Sequence, residues 1–332
     1  MADRLRVGVV GLNARVQRQV LPTLAASPRA ELAAVASRDA EKARSFAAPF
    51  PGCQPFGSYG AMLDGGRLDA VFVMTPPEQH APMSLAAIRR GLAVMCEKPL
   101  AATLDEAREM AAAARAGGVR TAVNFTYRTA PGPRYVARLL GEGAIGDLLD
   151  AQVAYLQGRA LTQPGPFRDP LTDLAPHLFD ALHWWAGPLD RVAAFAAEGA
   201  GLPPSWSLAG RFTAGATISM SVSRVAAGRG NALLATLNGR AGALRLAFDT
   251  EAVAVSRTVP GSTEWEDLPI PPELRIDYVA FPAAHFNRLV AALQGDEQFP
   301  TFDEGLHVQE VIEAARRSAA DGGSLRLPLE AP

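Results

Sequence analysis

Short apolar runs alternate with longer amphipathic stretches over the first 125 residues. Segments 5–10, 31–36, 69–74, 92–96 and 120–125 are rich in β-branched and apolar side chains and predict strands. Between them, 15–26, 40–47, 79–90 and 103–116 predict helices, with Asp39 and Thr103 placed as N-caps. Strict strand-helix alternation predicts βαβ units, and right-handed crossovers leave a Rossmann-type doubly wound parallel sheet as the economical topology. After Tyr127 the pattern changes, with Pro131 and Pro133 breaking the chain before a helix at 134–141. Strands at 149–156, 191–195, 216–223, 232–237 and 243–248 follow without a helix after each, which predicts a large antiparallel or mixed sheet. Helical patterning returns at 278–293 and at 303–320, the latter with apolar side chains at 308, 311, 312 and 315. The expected architecture is therefore α/β, with a dinucleotide-binding domain at 1–125 and an α+β domain at 126–332.

A chain of 332 residues suits two domains, and 48% hydrophobic with 20% charged residues suits two folded cores. The net charge of -2 gives no electrostatic reason for nucleic acid or an anionic membrane as partner, so a small molecule is expected. No stretch approaches the ~20 apolar residues of a membrane span, and a cytoplasmic protein is expected. Cys53 and Cys96 have no paired spacing with other cysteines or histidines, so reduced thiols and no metal site are expected. The basic residues are more pointed. Only Lys42 and Lys98 are lysine, and the remaining thirty of 32 are arginine. Arginine is the default cation here, and an ammonium stands out because a site can tune its charge. Lys42 lies in a polar helix, where its survival needs no special cause; Lys98 lies at a strand end.

The first strand leads into Gly11, Leu12, Asn13, Ala14, Arg15 and Val16, where a G-x-G-x-x-G loop would cradle a pyrophosphate on the helix N-terminus. Only the first glycine is present. Asn13 is expected to take a left-handed backbone in place of the second, and Val16, in place of the third, to push the helix outward. At the end of the second strand, where NAD-binding folds carry a ribose-binding acid, stand Ser37 and Arg38. A hydroxyl followed by a guanidinium suits a 2′-phosphate, so the expected cofactor is NADP(H), with NAD(H) as the alternative.

Two further strand ends carry Thr75-Pro76-Pro77-Glu78-Gln79-His80 and Glu97-Lys98-Pro99, and the last strand is followed by Asn124. In the second domain Asp173 and His177 stand in the order Asp173-Leu174-Ala175-Pro176-His177-Leu178-Phe179-Asp180, followed by Trp185-Ala186-Gly187. With these segments the chain resembles the glucose-fructose oxidoreductase, inositol dehydrogenase and rhizopine-catabolism family. Its E-K-P, T-P-x-x-x-H, D-x-G-x-H-x-x-D and W-x-G signatures are met in order, Ala175 standing where a glycine is usual. The glycine-rich segment that often precedes the aspartate is absent.

The resemblance implies that Gly11, Leu12, Asn13, Ala14, Arg15, Ser37, Arg38, Thr75, Pro76, His80, Glu97, Lys98 and Asn124 surround the cofactor. It implies that Lys98 polarises a substrate oxygen, that His177 exchanges the proton and that Asp173 orients His177, with the proton roles of Lys98 and His177 interchangeable. Spacing of i, i+4 would put Asp173 and His177 on one helix face. It also implies a cis bond before Pro99 and an open-faced second sheet used in a homodimer or homotetramer. His183, His285 and His307 are expected as core histidines, Trp184 and Trp185 as packing, and Arg168 as a surface or ligand contact. The expected activity is an NADP(H)-dependent oxidoreductase for a sugar, sugar nucleotide or cyclitol, acting as a ketoreductase. The alternatives are an NAD-dependent sugar or inositol dehydrogenase and a catalytically silent dinucleotide-binding protein.

Overall fold

Residues 4–163, 168–199, 201–249 and 252–330 are described by the computed structural model, and the chain divides into two compact units. The first runs through Thr126 and takes in Asp277–Leu306; the second holds Tyr127–Ile276 and the chain from His307 onward. Six strands form in the first unit: β1 (Leu5–Val10), β2 (Ala30–Ala36), β3 (Gln54–Phe56), β4 (Ala70–Val73), β5 (Ala93–Cys96) and β6 (Thr121–Val123). They pair in parallel in the order β3-β2-β1-β4-β5-β6. That is the doubly wound order, with its switch point between β1 and β4. The connecting helices are α1 (Leu21–Ala26), α2 (Ala40–Ala47), α3 (Tyr59–Gly65), α4 (His80–Ile88) and α5 (Leu104–Gly117).

Local chemistry sets the helix starts. The Asp39 carboxylate accepts from the Lys42 amide at 3.1 Å, and Thr103 and Glu106 exchange the two bonds of a capping box at 3.2 and 3.0 Å. Pattern reading misses β3 and α3. The strand is a three-residue edge piece with Pro55 at its centre, too short and too exposed to give an alternation.

The second unit carries α6 (Pro131–Gly141), β7 (Leu148–Leu156), α7 (Pro170–Asp173), α8 (Ala175–Ala186), β8 (Leu189–Gly199), β9 (Leu202–Phe212) and β10 (Thr217–Ser223). It continues with β11 (Ala232–Gly239), β12 (Gly242–Asp249), β13 (Ala252–Thr258) and β14 (Glu266–Leu268). After α9 (Phe281–Gln294), which belongs to the first unit, come α10 (Phe302–Asp321) and β15 (Leu325–Arg326). The nine strands run β14-β13-β12-β11-β7-β10-β9-β8-β15, antiparallel except for the parallel pair β7 and β10. Helices α6 and α8 pack on one face, where Ala151, Val153 and Tyr155 are buried. The other face presents Ser219, Gln152, Thr236 and Arg245 as cross-strand neighbours. Period-two alternation produces this division.

The eleven-residue β9 escapes sequence reading because it opens on Leu202-Pro203-Pro204. Pairing with β10 begins only at Trp206, so neither proline is asked to donate to that neighbour. Residues 277–306 depart from the single division at 125/126. Phe286, Leu289, Val290 and Leu293 of α9 are buried in one cluster with Val7, Val9, Val20 and Phe72 of the first unit. Periodicity reveals such a helix but not which sheet its apolar face covers.

A buried ion pair braces the second unit: Arg128 donates to both oxygens of Asp180 at 2.9 and 2.8 Å, beneath it lies the Trp184 ring at 4.8 Å, and Asp180 is fully buried. Removing one partner strands a buried charge, so Asp180→Ala should cost about 3–5 kcal/mol in denaturant unfolding. Arg128→Met with Asp180→Leu should recover most of that loss. A cost below about 1 kcal/mol for the single change would contradict this role.

Candidate active site

All six strands of the first sheet are parallel, so their C-terminal ends share one edge. Gly11 follows β1 with φ +91°, and a Cβ there would lie 2.3 Å from the Met74 carbonyl carbon and 2.6 Å from the Thr75 nitrogen. No other residue fits that approach. Asn13 does not take the expected left-handed backbone; among the described non-glycine residues only Arg67 has positive φ. It works through its side chain instead. Its Oδ1 accepts from the amides of Arg15 at 2.9 Å and Val16 at 3.0 Å, and its Nδ2 donates to the Gly11 carbonyl at 3.2 Å. This caps the helix start and leaves the amides of Asn13 and Ala14 without an acceptor among the described residues. Val16 is fully buried, and the turn it opens, Val16–Val20, winds as a π-helix. The wider turn is where the chain accommodates a branched side chain in place of glycine.

A cavity of about 590 Å³ lies at these strand ends, lined by Gly11, Leu12, Asn13, Ser37, Arg38, Lys42, Thr75 and Pro76 among others. The buried Thr75 hydroxyl has no hydrogen-bond partner among the described residues. Open amides, an orphaned hydroxyl and a glycine-only approach fit a dinucleotide held at the switch point. Lys42 was dismissed on sequence, yet it lines the same cavity as Ser37 and Arg38. Its rarity and its place in the first turn of the helix that follows Arg38 were the available signals.

The Glu97-Lys98-Pro99 segment follows β5, with a cis Lys98–Pro99 bond. His80 is completely buried and ties this segment to β4, its Nδ1 lying 2.9 Å from the Pro99 carbonyl and its Nε2 2.8 Å from that of Thr75. Glu97 is a junction. Its Oε1 accepts from Arg15 at 2.9 Å and from the Asn124 amide at 2.7 Å, and its Oε2 from the Lys98 backbone at 3.2 Å. Asn124 Oδ1 in turn accepts from His285 Nε2 at 2.5 Å. His285 is thus more than the core histidine expected. Burial, then Arg15 and Arg288, lower its pKa from 6.5 to about 3, so the ring is neutral and donates through Nε2. It lies 161 positions from Asn124, beyond any local sequence signal.

In the second unit Asp173 and His177 do not share one helix. Asp173 ends α7 and His177 lies in the first turn of α8. Pro176, lacking an N–H, breaks the hydrogen-bond ladder between them. The Asp173 carboxylate pairs with the buried Arg224, which also donates to Gln157 at 2.5 Å. Around His177 stand the rings of Tyr127 at 5.2 Å and Tyr155 at 6.4 Å, and burial raises the pKa of both phenols. Arg224, Tyr127 and Tyr155 were not foreseen. Arg168 is exposed beside Asp169, which caps α7, and the Trp185 indole donates to the Pro133 carbonyl at 3.2 Å as a packing residue. The rings of His183 and His307 lie 4.7 Å apart, tilted by 47°, and burial followed by His183 lowers His307 to about 4.

A family model described as "oxidoreductase family, NAD-binding Rossmann fold" matches residues 5–125, and one for the Gfo/Idh/MocA C-terminal domain matches residues 134–245. Over 192 residues, 56% of this chain and 58% of the relative, the sequence is 35% identical to dTDP-3,4-didehydro-2,6-dideoxy-alpha-D-glucose 3-reductase of Streptomyces antibioticus. Over 186 residues, 54% of this chain and 56% of the relative, it is 33% identical to 1,5-anhydro-D-fructose reductase of Ensifer adhaerens. The chain thus spans little more than half the length of these curated relatives. Among solved structures, an NAD binding oxidoreductase from Klebsiella pneumoniae superposes with a TM-score of 0.87 at 23% identity, over 99% of this chain and 100% of that one. Levoglucosan dehydrogenase in complex with NADH and levoglucosan gives 0.85 at 22%, over 98% and 100%. At these identities the likeness shows the fold alone. No described helix is long and apolar enough to cross a membrane.

His285 and His307 have lowered pKa values, so the unfolded chain takes up protons near pH 6.5 that the folded chain refuses until about 3 and 4. Stability should therefore be full above pH 6.5 and fall as pH drops through this window. His285→Gln and His307→Gln should each flatten the acid limb of a denaturation series. Identical pH dependence in wild type and both variants would contradict it.

Proposed function

The chain belongs to the Gfo/Idh/MocA oxidoreductase family, with its NAD-binding Rossmann fold, and on that premise we propose an NADP(H)-dependent oxidoreductase acting on a carbohydrate-like substrate. The observation that carries the cofactor half is the grouping of Ser37, Arg38 and Lys42 about one cavity with Gly11 and Thr75. Two cations and a hydroxyl suit a 2′-phosphate, and at the end of β2, where a ribose-binding acid would repel it, stands Ser37; Glu78, which also lines the cavity, belongs to the segment after β4. When bound, the dinucleotide supplies or accepts a hydride at its nicotinamide ring. The chain's residues do the rest. Gly11 admits the cofactor backbone, the Asn13 and Ala14 amides face its pyrophosphate, and Asn124 is oriented by Glu97 and His285.

Lys98 donates to the substrate oxygen and stabilises the charge that develops there. His177 exchanges the proton, and Asp173, held by Arg224, keeps the imidazole oriented. The substrate is a sugar, sugar nucleotide or cyclitol, in keeping with the sugar reductases among the relatives, and the direction is carbonyl reduction. The small polar face of the second sheet supports self-association as a homodimer or homotetramer.

Purified protein should oxidise NADPH in the presence of one or more keto-sugars from a panel, and Lys98→Ala should lower kcat by about 100-fold or more. Equal rates in that variant would overturn the role of Lys98. In cofactor titrations NADPH should bind more tightly than NADH, and Arg38→Ala with Lys42→Ala should remove about 10- to 100-fold of that preference. NADH binding at least as tightly to the wild type would overturn the NADP reading.

A further inference from the structure

Two loops of the second unit lie side by side next to the pair formed by Asp173 and Arg224. Residues 157–163 follow β7, and residues 224–230 join β10 to β11; together they hold Arg159, Arg224 and Arg229 and no acid. Backbone bonds lace them together: the Gly158 amide donates to the Arg229 carbonyl at 2.8 Å, Ala226 to Gln157 at 3.0 Å and Ala160 to Arg224 at 3.2 Å. Arg159 therefore stands between two residues bonded to the opposite loop. Both loops are rooted in the cluster around His177. Tyr155, whose ring neighbours His177, donates its hydroxyl to Asn231 at 2.9 Å, and Gln157 donates to the same oxygen at 2.6 Å. Arg159 lies four residues beyond Tyr155 and Arg229 two before Asn231, so each is within about 14 Å of backbone reach of the cluster.

The three arginines differ in what they meet. Arg224 is buried and engaged by Asp173 and Gln157. Arg159 and Arg229 are exposed and pair with no carboxylate among the described residues. Among the other exposed arginines of this unit, Arg138 and Arg211 pair with acids while Arg168, Arg275 and Arg326 pair with none among the described residues; Arg159 and Arg229 are set apart by standing on two laced loops beside the His177 cluster. A neutral sugar gives two free guanidiniums nothing to balance, whereas a diphosphate presents two charges and oxygens matched to the guanidinium fork.

We propose that the substrate is a sugar joined through a diphosphate to a nucleoside, with Arg159 and Arg229 holding the diphosphate at the rim of the Asp173 and His177 cluster. The inference rests on reading that cluster as the place where the substrate reacts. Binding of dTDP and UDP to the full chain, saturated with NADP+ so that the dinucleotide site is filled, tests it without relying on turnover. Both probes should bind, more weakly as salt rises, and Arg159→Ala with Arg229→Ala should weaken binding by about 10-fold or more, with Arg→Lys at both positions recovering part. No binding, or unchanged binding in the alanine variant, would overturn the proposal. A kinetic arm separates this failure from failure of the enzyme reading. NADPH oxidation by free keto-sugars with no gain from a nucleoside diphosphate would sink the diphosphate alone; no NADPH oxidation with any keto-sugar, free or linked, would sink the reductase reading itself.

Discussion

The Glu97 carboxylate holds the candidate cofactor end of the first unit together. Its side chain is only 12% exposed, and a carboxylate so placed is costly unless a cation and several donors compensate it. Arg15 after β1, Asn124 after β6 and the Lys98 backbone after β5 provide that compensation. Three strand ends are thereby tied to one group. Asn124 can satisfy both Glu97 and His285 in only one amide orientation, because Glu97 accepts and the neutral His285 donates. A charged junction thus fixes a neutral amide, and the backbone carrying Lys98 is fixed with it.

The loop after β1 shows how the same end is built without two of the usual glycines. Gly11 is retained where the Met74 and Thr75 backbone leaves no room for a Cβ. The second glycine's place is taken by an asparagine that caps the helix with its side chain, and the third by a buried valine on a π-helical turn. The amides of Asn13 and Ala14 stay open while those of Arg15 and Val16 are satisfied internally. The open donors move by position, not by kind.

Local pattern carried most of the fold and roughly half of the candidate site. Strands β1, β2, β4, β5 and β6 and the caps at Asp39 and Thr103 were legible because alternation and capping depend on near neighbours. β9 was not, since its two prolines read as breakers although they precede its pairing with β10. The helix break between Asp173 and His177 was within reach, as Pro176 stands between them, but equal spacing outweighed it. Motif residues such as Gly11, Ser37, Glu97 and Lys98 announced themselves by position at strand ends. Their partners did not. His285 reaches Asn124 across 161 positions and Arg224 reaches Asp173 across 51, and neither distance leaves a trace in local sequence.

The most direct measurement is the fate of a deuterium placed at C4 of NADPH during reduction of a keto-sugar, followed by NMR of the product. The account predicts deuterium on the former carbonyl carbon, delivered to one face and undiluted by solvent hydrogen. Product formed with solvent hydrogen at that carbon would contradict direct transfer between cofactor and substrate.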